Sequence, residues 1–187
     1  MDSKRSLVKE ASNRQYRAIL PRVSDACHDA MRLMDIAMSD EQLTMVVLDA
    51  QEAFWNIPLR PCERKYYCGT VRIAKRDRCI CYLRTALGSR GAPFSWAVLF
   101  SLISRCVFSV LRETRGLDSV TPAAMQVFVD DPWIAMRGTP QQTARMTAAA
   151  ILAWRILNIG LAFTKGQLSD TINWIGARLS VESRTTL

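Results

Sequence analysis

The chain has 187 residues, of which 49% are hydrophobic, and it carries a formal net charge of +8 with a pI near 9.5. This length and apolar content are enough to bury one compact core, which excludes a largely disordered chain. The excess of basic residues suits a polyanionic partner such as nucleic acid, and a merely basic soluble surface accounts for the charge equally well.

The amino terminus shows no apolar segment of the secretory kind, so we expect free thiols and an intracellular location, cytoplasmic or nuclear. Cys79-Ile-Cys81 lacks the two-residue spacer of a zinc knuckle, and the one histidine, His28, is far away in sequence, which disfavours structural zinc. No membrane span is expected, because arginines interrupt the apolar stretches before the roughly 20 residues that a span needs. These arginines are Arg105, Arg112 and Arg155.

The first elements along the chain are an arm and a helix. Residues 1–18 are basic and weakly periodic, which predicts an exposed arm with at most a strand remnant. From Pro21 to Met38 the apolar residues recur at helical spacing, with Ser24 or Asp25 near the start as a cap. One amphipathic helix is therefore predicted.

Three strand-like runs follow. Residues 44–48 are β-branched and apolar and end on Asp49, whose carboxylate is therefore expected at the tip of a strand. Residues 66–74 and 78–85 surround the charged segment 75–77, which predicts a hairpin that turns at this segment.

A long helix and a second hairpin come next. Pro93 opens a helix over residues 94–112, whose apolar content implies burial on most sides. Strands over 124–129 and 133–136 flank residues 130–132, which form an acidic tip.

The last elements are a helix and two short strands. Thr139-Pro140 has the cap-then-proline pattern of a helix start, and the helix is predicted to continue to Leu157. Strands are predicted near 161–164 and 171–179. The order of elements predicts an α+β fold with helices on one face of an antiparallel sheet. The chain is read as one domain, residues 1–187, with a core at 19–179.

Acidic residues end two of the apolar strands. Asp130 and Asp131 follow the apolar residues 127–129, and Asp49 follows 46–48. An aspartate pair alone is a weak motif, but carboxylates at the ends of buried strands need a balancing cation. If the strands are neighbours, the three carboxylates suit two Mg²⁺ or Mn²⁺ ions and in-line phosphoryl transfer. The chain has no P-loop and no Gly-x-Ser-x-Gly, so other phosphate-binding and nucleophilic sites are unsupported.

Five segments resemble the motifs of retroelement reverse transcriptases, in the order of that family. They are Leu48-Asp-Ala-Gln-Glu-Ala-Phe-Trp-Asn-Ile-Pro-Leu59, Gly88-Ser-Arg-Gly-Ala-Pro-Phe94, Phe128-Val-Asp-Asp131, Gly160-Leu-Ala-Phe-Thr-Lys165 and Trp174-Ile-Gly176. Each motif is weak by itself, and their shared order makes the resemblance specific. It implies the fingers and palm of an RNA-directed DNA polymerase, with an antiparallel sheet backed by helices, partial fingers and no thumb.

By position, the resemblance implies a catalytic centre. Asp49, Asp130 and Asp131 would hold two Mg²⁺ or Mn²⁺ ions, with the Ala50 carbonyl as a further contact. Lys165 would protonate the leaving pyrophosphate or neutralise its charge.

The resemblance also implies residues that bind substrates, namely deoxynucleoside triphosphates and a primed RNA or DNA template. Phe54 would stack under the incoming sugar and exclude a 2′-hydroxyl, Glu52 would line the pocket, and Arg90 and Arg5 would contact phosphates. Template and primer would contact Gly88, Pro93, Trp174 and Gly176. Simpler roles remain open: core packing for Phe54 and Trp174, and surface charge for Lys165 and Arg5.

Some positions depart from the family pattern. Ala86-Leu87 stands where Pro-Gln is common, and Lys9 stands where an acidic residue is expected. Nothing after Leu187 could form a thumb, so the chain is expected to be a fragment or a degenerate copy of a larger polyprotein. Two hypotheses follow, an active DNA polymerase core or a catalytically weak nucleic-acid-binding relic. An RNA-templated RNA polymerase is disfavoured because such enzymes usually place Gly before the aspartate pair and lack an aromatic at position 54.

Overall fold

The computed structural model of the chain describes residues 18–37, 40–85, 89, 91–113 and 122–181. The arm predicted at residues 1–18 lies outside these residues except for Ala18. The chain divides into two compact units, one containing Glu52–Val98 and the other Ile19–Gln51 together with Leu99–Leu187.

The described elements alternate helices with antiparallel strands, which confirms the predicted α+β class. In chain order they are α1 (Val23–Asp35), β1 (Gln42–Val47), β2 (Cys68–Ile73), β3 (Arg76–Cys81), α2 (Ala92–Glu113), β4 (Ala123–Phe128), β5 (Asp131–Gly138), α3 (Pro140–Ile156), β6 (Gln167–Ser169), β7 (Thr171–Trp174) and β8 (Ala177–Ser180). Short 3-10 turns lie at Ala53–Asn56, Arg64–Tyr66 and Phe163–Lys165.

The larger unit is built on a four-stranded antiparallel sheet in the order β4-β5-β1-β6. One face of β1 and β5, which includes Met45 and Trp133, packs in a buried cluster with Leu33 of α1. The opposite face of β5 meets α3, where the Thr147 hydroxyl lies 3.8 Å from the sulfur of Met136. The prediction that helices cover one face was therefore wrong. Both central strands are apolar on both faces, and each face needs a cover.

The two helices that cover this sheet begin at different caps. At α3 the predicted Thr139-Pro140 start is confirmed, and the Thr139 and Gln142 side chains each bond the other's backbone N–H, at 3.4 and 2.9 Å. At α1 the cap is Arg22, not Ser24 or Asp25, and the Asp25 carboxylate accepts the Arg22 backbone N–H at 2.7 Å. Asp25 thus acts one turn into the helix, where a carboxylate also complements the helix dipole.

The long helix α2 buries one side. Its buried positions are Ala92, Trp96, Phe100, Ser104, Val107 and Leu111, which recur every three or four residues. The ring of Phe100 stacks on Trp154 of α3 with centroids 6.4 Å apart. Among the described helices, only Ala92–Arg112 is long and apolar enough to cross a membrane, and a core helix of a water-soluble protein meets the same test.

The smaller unit carries the hairpin β2–β3. The turn was predicted at 75–77, but Ile73 pairs with Arg76, so the two-residue loop is Ala74-Lys75. Both loop residues have positive φ, 50° and 65°, as the twist of a tight hairpin requires. Of the charged residues that predicted the turn, Arg76 and Asp77 are instead solvent-exposed strand residues.

The last strands also differ from the prediction. Residues 163 and 164, expected to end a strand, lie in the 3-10 turn Phe163–Lys165, and Leu161 makes only an isolated bridge to Ala50. The segment expected as one strand, 171–179, is the hairpin β7–β8. Its loop is Ile175-Gly176, and Gly176 has a φ of 83°, a conformation that side chains disfavour.

A buried ion pair ties the end of β5 to the segment before β1. Nη1 of Arg137 lies 3.2 Å from Oε2 of Glu41, and both side chains are only 8% exposed. Arg137 also donates to the carbonyl of Ile36, just after α1. One guanidinium therefore fixes α1, β1 and β5 together.

Arg137→Met should lower the free energy of unfolding by about 3–5 kcal/mol, because Glu41 would remain buried without its counter-charge. The matched control is Arg32→Met. Arg32 is 68% exposed and lies 3.9 Å from Asp29, so its loss should cost less than about 1 kcal/mol. Urea unfolding followed by tryptophan fluorescence measures both. Equal losses in the two variants would contradict a structural role for the buried pair.

Candidate functional site

The backbone around Asp49 is held from both sides. On one side the Ala50 N–H donates to the Asp130 carbonyl at 2.9 Å. On the other, the Ala162 N–H donates to the Asp49 carbonyl at 2.8 Å, and the Gln51 N–H donates to a carbonyl of the same segment. The end of β1 is thus fixed between the β4–β5 loop and residues 160–162, a role of residues 160–162 that sequence analysis missed.

Asp130 and Asp131 occupy the predicted hairpin tip. Phe128 pairs with Asp131, so the loop consists of Val129 and Asp130 alone. Val129 has a φ of 57°. This conformation is rare for a β-branched residue and costs on the order of 1–3 kcal/mol. The hairpin therefore presents Asp130 in its loop and Asp131 at the start of β5 at the expense of backbone strain.

Trp174 contacts the β4–β5 hairpin at two places. The indole N–H of Trp174 donates to the Asp131 carbonyl at 3.1 Å, and Trp174 is only 2% exposed. Its ring lies against Trp133 of β5, with centroids 5.9 Å apart. Trp174 thus holds Asp131 in place by its hydrogen bond and packs on Trp133. Gly176 lies in the loop of the hairpin that carries Trp174.

The charges of the three aspartates act on one another. Burial raises the pKa of Asp130, and the charge of Asp49 adds to this effect, while a backbone hydrogen bond and Lys165 oppose it. Burial, followed by the charges of Asp130 and Asp49, raises the pKa of Asp131 to about 6. The structure therefore brings the three carboxylates close enough for like-charge repulsion.

Lys165 lies at the same place. Its Nζ is 2.5 Å from Oδ2 of Asp49, and its side chain is 72% exposed whereas that of Asp49 is 16% exposed. The hydrogen bond to Asp49 and the charge of Asp49 raise the pKa of Lys165. Lys165 lies in the 3-10 turn Phe163–Lys165, more than a hundred residues after Asp49 in sequence. This turn places the lysine next to Asp49.

The donor set fits a hard divalent cation. All three acidic groups offer oxygen atoms, which Mg²⁺ and Mn²⁺ prefer, and two of them carry raised pKa values that an added positive charge would relieve. Within the described part of the chain, no three acidic, histidine or cysteine side chains already surround a common point as metal ligands do. Asp49 instead contacts Lys165, so the carboxylates would have to turn toward an ion.

Other predicted residues lie in the smaller unit or outside the described residues. Glu52 is exposed, has a φ of 52°, and its carbonyl accepts the Trp55 N–H at 2.8 Å. Phe54 is half-buried in a 3-10 turn, where its carbonyl accepts the Thr85 hydroxyl. Pro93 is exposed in the first turn of α2. Outside the described residues lie Arg5, Gly88 and Arg90.

Asp131→Asn should raise the free energy of unfolding near neutral pH. On folding, the pKa of Asp131 rises from 3.8 to about 6. Its ionised carboxylate therefore destabilises the fold above about pH 6. Below pH 3.8 the group is protonated in both the folded and the unfolded state, and the destabilisation is absent. The advantage of the variant over the wild type should be constant above about pH 6 and fade as the pH falls toward 3.8. Urea unfolding at several pH values, without divalent cations, tests this. An advantage that grows on acidification would contradict the assigned repulsion.

Val129→Gly should be more stable than Val129→Ala by about 1 kcal/mol, because glycine adopts positive φ freely and alanine does not. Comparing these two variants removes the valine side chain from both, so that the backbone alone differs. Thermal unfolding by circular dichroism gives the difference. If alanine proved the more stable, the loop would not be strained at this position.

Comparison with known proteins leaves the family of the chain open. The sequence matches no protein-family model and no curated protein. The function must therefore be argued from the site itself and from the motif resemblance.

Proposed function

We propose that this chain is the palm and partial fingers of a reverse-transcriptase-type DNA polymerase, which adds deoxynucleotides to a primer. The observation that carries the proposal is the meeting of Asp49, at the end of β1, with Asp130 and Asp131, at the tip of the adjacent β4–β5 hairpin. Two strands far apart in sequence supply three interacting carboxylates at one end of a sheet. Such oxygen-rich clusters serve metal-dependent phosphoryl transfer.

The motif order supports a polymerase over other phosphoryl-transfer enzymes. Three of the five family-like segments contribute directly to the site: the one with Asp49, the one with Asp130-Asp131, and the one with Lys165. A fourth contributes Trp174 beneath the hairpin. Segments that resemble one family in sequence thus also meet in space, which a chance resemblance does not require.

In the proposed reaction the aspartates and the lysine have separate tasks. Asp49, Asp130 and Asp131 would bind two Mg²⁺ or Mn²⁺ ions, with the Ala50 carbonyl as a further contact. When bound, such ions activate a 3′-hydroxyl and stabilise the leaving pyrophosphate. Lysine is protonated at neutral pH, and the hydrogen bond to Asp49 raises the pKa of Lys165 further. Its Nζ would neutralise the charge that develops on the leaving phosphates.

The substrates follow from charge and resemblance. The net charge of +8 suits a primed RNA or DNA template, and the exposed basic residues of the β2–β3 hairpin suit phosphate contacts. They are Arg72, Lys75, Arg76 and Arg78. Phe54 would select deoxynucleoside triphosphates by excluding a 2′-hydroxyl, with Glu52 beside it. Further domains of a longer polyprotein would supply the thumb, and the enzyme would act inside the cell, without a membrane partner.

Asp130→Asn should abolish primer extension on an RNA template in the presence of deoxynucleotides and Mg²⁺ or Mn²⁺. The loss should exceed the roughly 10–100-fold effect of removing an outer hydrogen-bonding partner of a metal ligand. The matched control is Asp40→Asn. Asp40 is exposed and precedes β1, whereas Asp49 follows it, and the six residues of β1 between them span roughly 20 Å at about 3.3 Å per residue. Extension that persists in Asp130→Asn would refute the site.

Metal binding gives a readout independent of turnover. Mn²⁺ should raise the thermal unfolding temperature of the wild type and of Asp40→Asn, and raise it less in Asp130→Asn. Stabilisation by Mn²⁺ without primer extension would favour the second hypothesis, a catalytically weak nucleic-acid-binding relic. A wild type that neither extends primers nor responds to Mn²⁺ would exclude both.

A further inference from the structure

Three cysteines share one face of the β2–β3 hairpin. Cys68 of β2 lies directly opposite Cys81 of β3, and Thr70 lies opposite Cys79. Because side chains alternate along a strand, residues two positions apart point to the same side. Cys68, Cys79 and Cys81 therefore stand together, and all three thiols are free.

The Cys68–Cys81 pair occupies a position suited to a covalent bond. The next pair outward is hydrogen-bonded, since the Tyr82 N–H donates to the Tyr67 carbonyl at 2.9 Å. Pairs alternate along an antiparallel ladder, so Cys68 and Cys81 form a non-hydrogen-bonded pair, with Cα atoms about 4.5 Å apart. Disulfides span Cα separations of about 4.4–6.8 Å, and so the backbone need not move far.

The two sulfur atoms already converge. Both thiols donate to the carbonyl oxygen of Arg64, Cys68 at 3.3 Å and Cys81 at 3.5 Å. The hydrogen bond with Cys81 is the main cause that raises the pKa of Cys68 to about 11, with burial and the charges of Cys81 and Cys79 adding to it. A thiol responds in this way only to close neighbours.

The two cysteines differ in access and reactivity. Cys81 and Cys79 are exposed, whereas Cys68 is half-buried. The thiolate is the reactive form, and the raised pKa keeps Cys68 protonated at neutral pH. A dissolved oxidant would therefore react first at an exposed cysteine, and Cys68 would act second.

We propose that Cys68 and Cys81 form a reversible redox modification site that a peroxide converts to a cross-strand disulfide. The Cys81 sulfur first attacks hydrogen peroxide, which leaves a sulfenic acid and releases one water. The Cys68 sulfur then attacks the sulfenic sulfur, and the S–S bond forms as the second water leaves. Overall, two thiols lose two electrons and two hydrogens, and one peroxide is reduced to two waters. A dithiol reductant reverses the change.

The bond would close a ring that contains the Ala74-Lys75 turn and the basic residues of this hairpin. Oxidation would therefore restrict the segment that carries Arg72, Arg76 and Arg78. The proposed redox site does not depend on the polymerase function, because it requires only the pairing of the two thiols.

Mass spectrometry of the reduced protein, before and after mild hydrogen peroxide treatment and alkylation, tests the proposal. Trypsin cleaves after Arg72 and Arg78, which places Cys68 and Cys81 on different peptides. In the wild type these two peptides should be joined, and their combined mass should be lower by two hydrogens. Dithiothreitol should separate the peptides and restore both hydrogens. Absence of the joined peptides, or pairing only between separate molecules, would overturn the proposal even if no variant were made.

Variants then identify the sulfur atoms. Cys79 shares a tryptic peptide with Cys81, so Cys79→Ser is needed to distinguish them, and it should leave the joined peptides in place. Cys68→Ser and Cys81→Ser should each abolish them, whereas Cys106→Ser, a control on another element, should not. Joined peptides that disappear in Cys79→Ser and persist in Cys81→Ser would assign the bond to Cys79 and refute the proposed pair.

Discussion

Strand β1 is enclosed on every side, and the rest of the larger unit depends on this. It pairs with β5 along one edge and with β6 along the other, α1 covers one face, and α3 covers the other. Such a strand has few ways to shift, because a slip of one residue would exchange its two faces. Asp49 lies just past the end of this fixed strand. The strand and the backbone hydrogen bonds around Asp49 therefore hold its carboxylate in place.

The site concentrates features that weaken a fold. Val129 holds a conformation that valine disfavours, and Asp131 keeps a carboxylate where burial and two neighbouring charges oppose it. Trp174 and Trp133 offset this by packing beneath the hairpin, and Lys165 places one positive charge against Asp49. Strain and repulsion of this kind persist where surrounding structure enforces them, and such places are commonly functional.

Sequence reasoning found what local patterns specify. The acidic hairpin and the apolar run before Asp49 are each visible within a few residues of sequence, and α3 begins where Thr139-Pro140 predicted. Sequence reasoning failed where contacts between distant segments determine the structure. The charged residues Arg76 and Asp77 suggested a turn, yet strand pairing moved the turn to Ala74-Lys75. Likewise no local pattern revealed that α1 and α3 cover opposite faces, or that residues 160–162 hold Asp49.

The pairing of β1 also bears on when the site comes into being. Val47 pairs with Trp133, so roughly ninety residues must be looped together before β1 joins the sheet, and such long-range contacts form late and slowly. The β4–β5 hairpin, by contrast, needs only a two-residue loop. A nascent chain would carry the apolar strand β1 without a partner until β5 had been synthesised, an interval in which it is prone to association with other chains. The three carboxylates assemble only in that final step, so a partly folded chain would have the hairpin aspartates without Asp49.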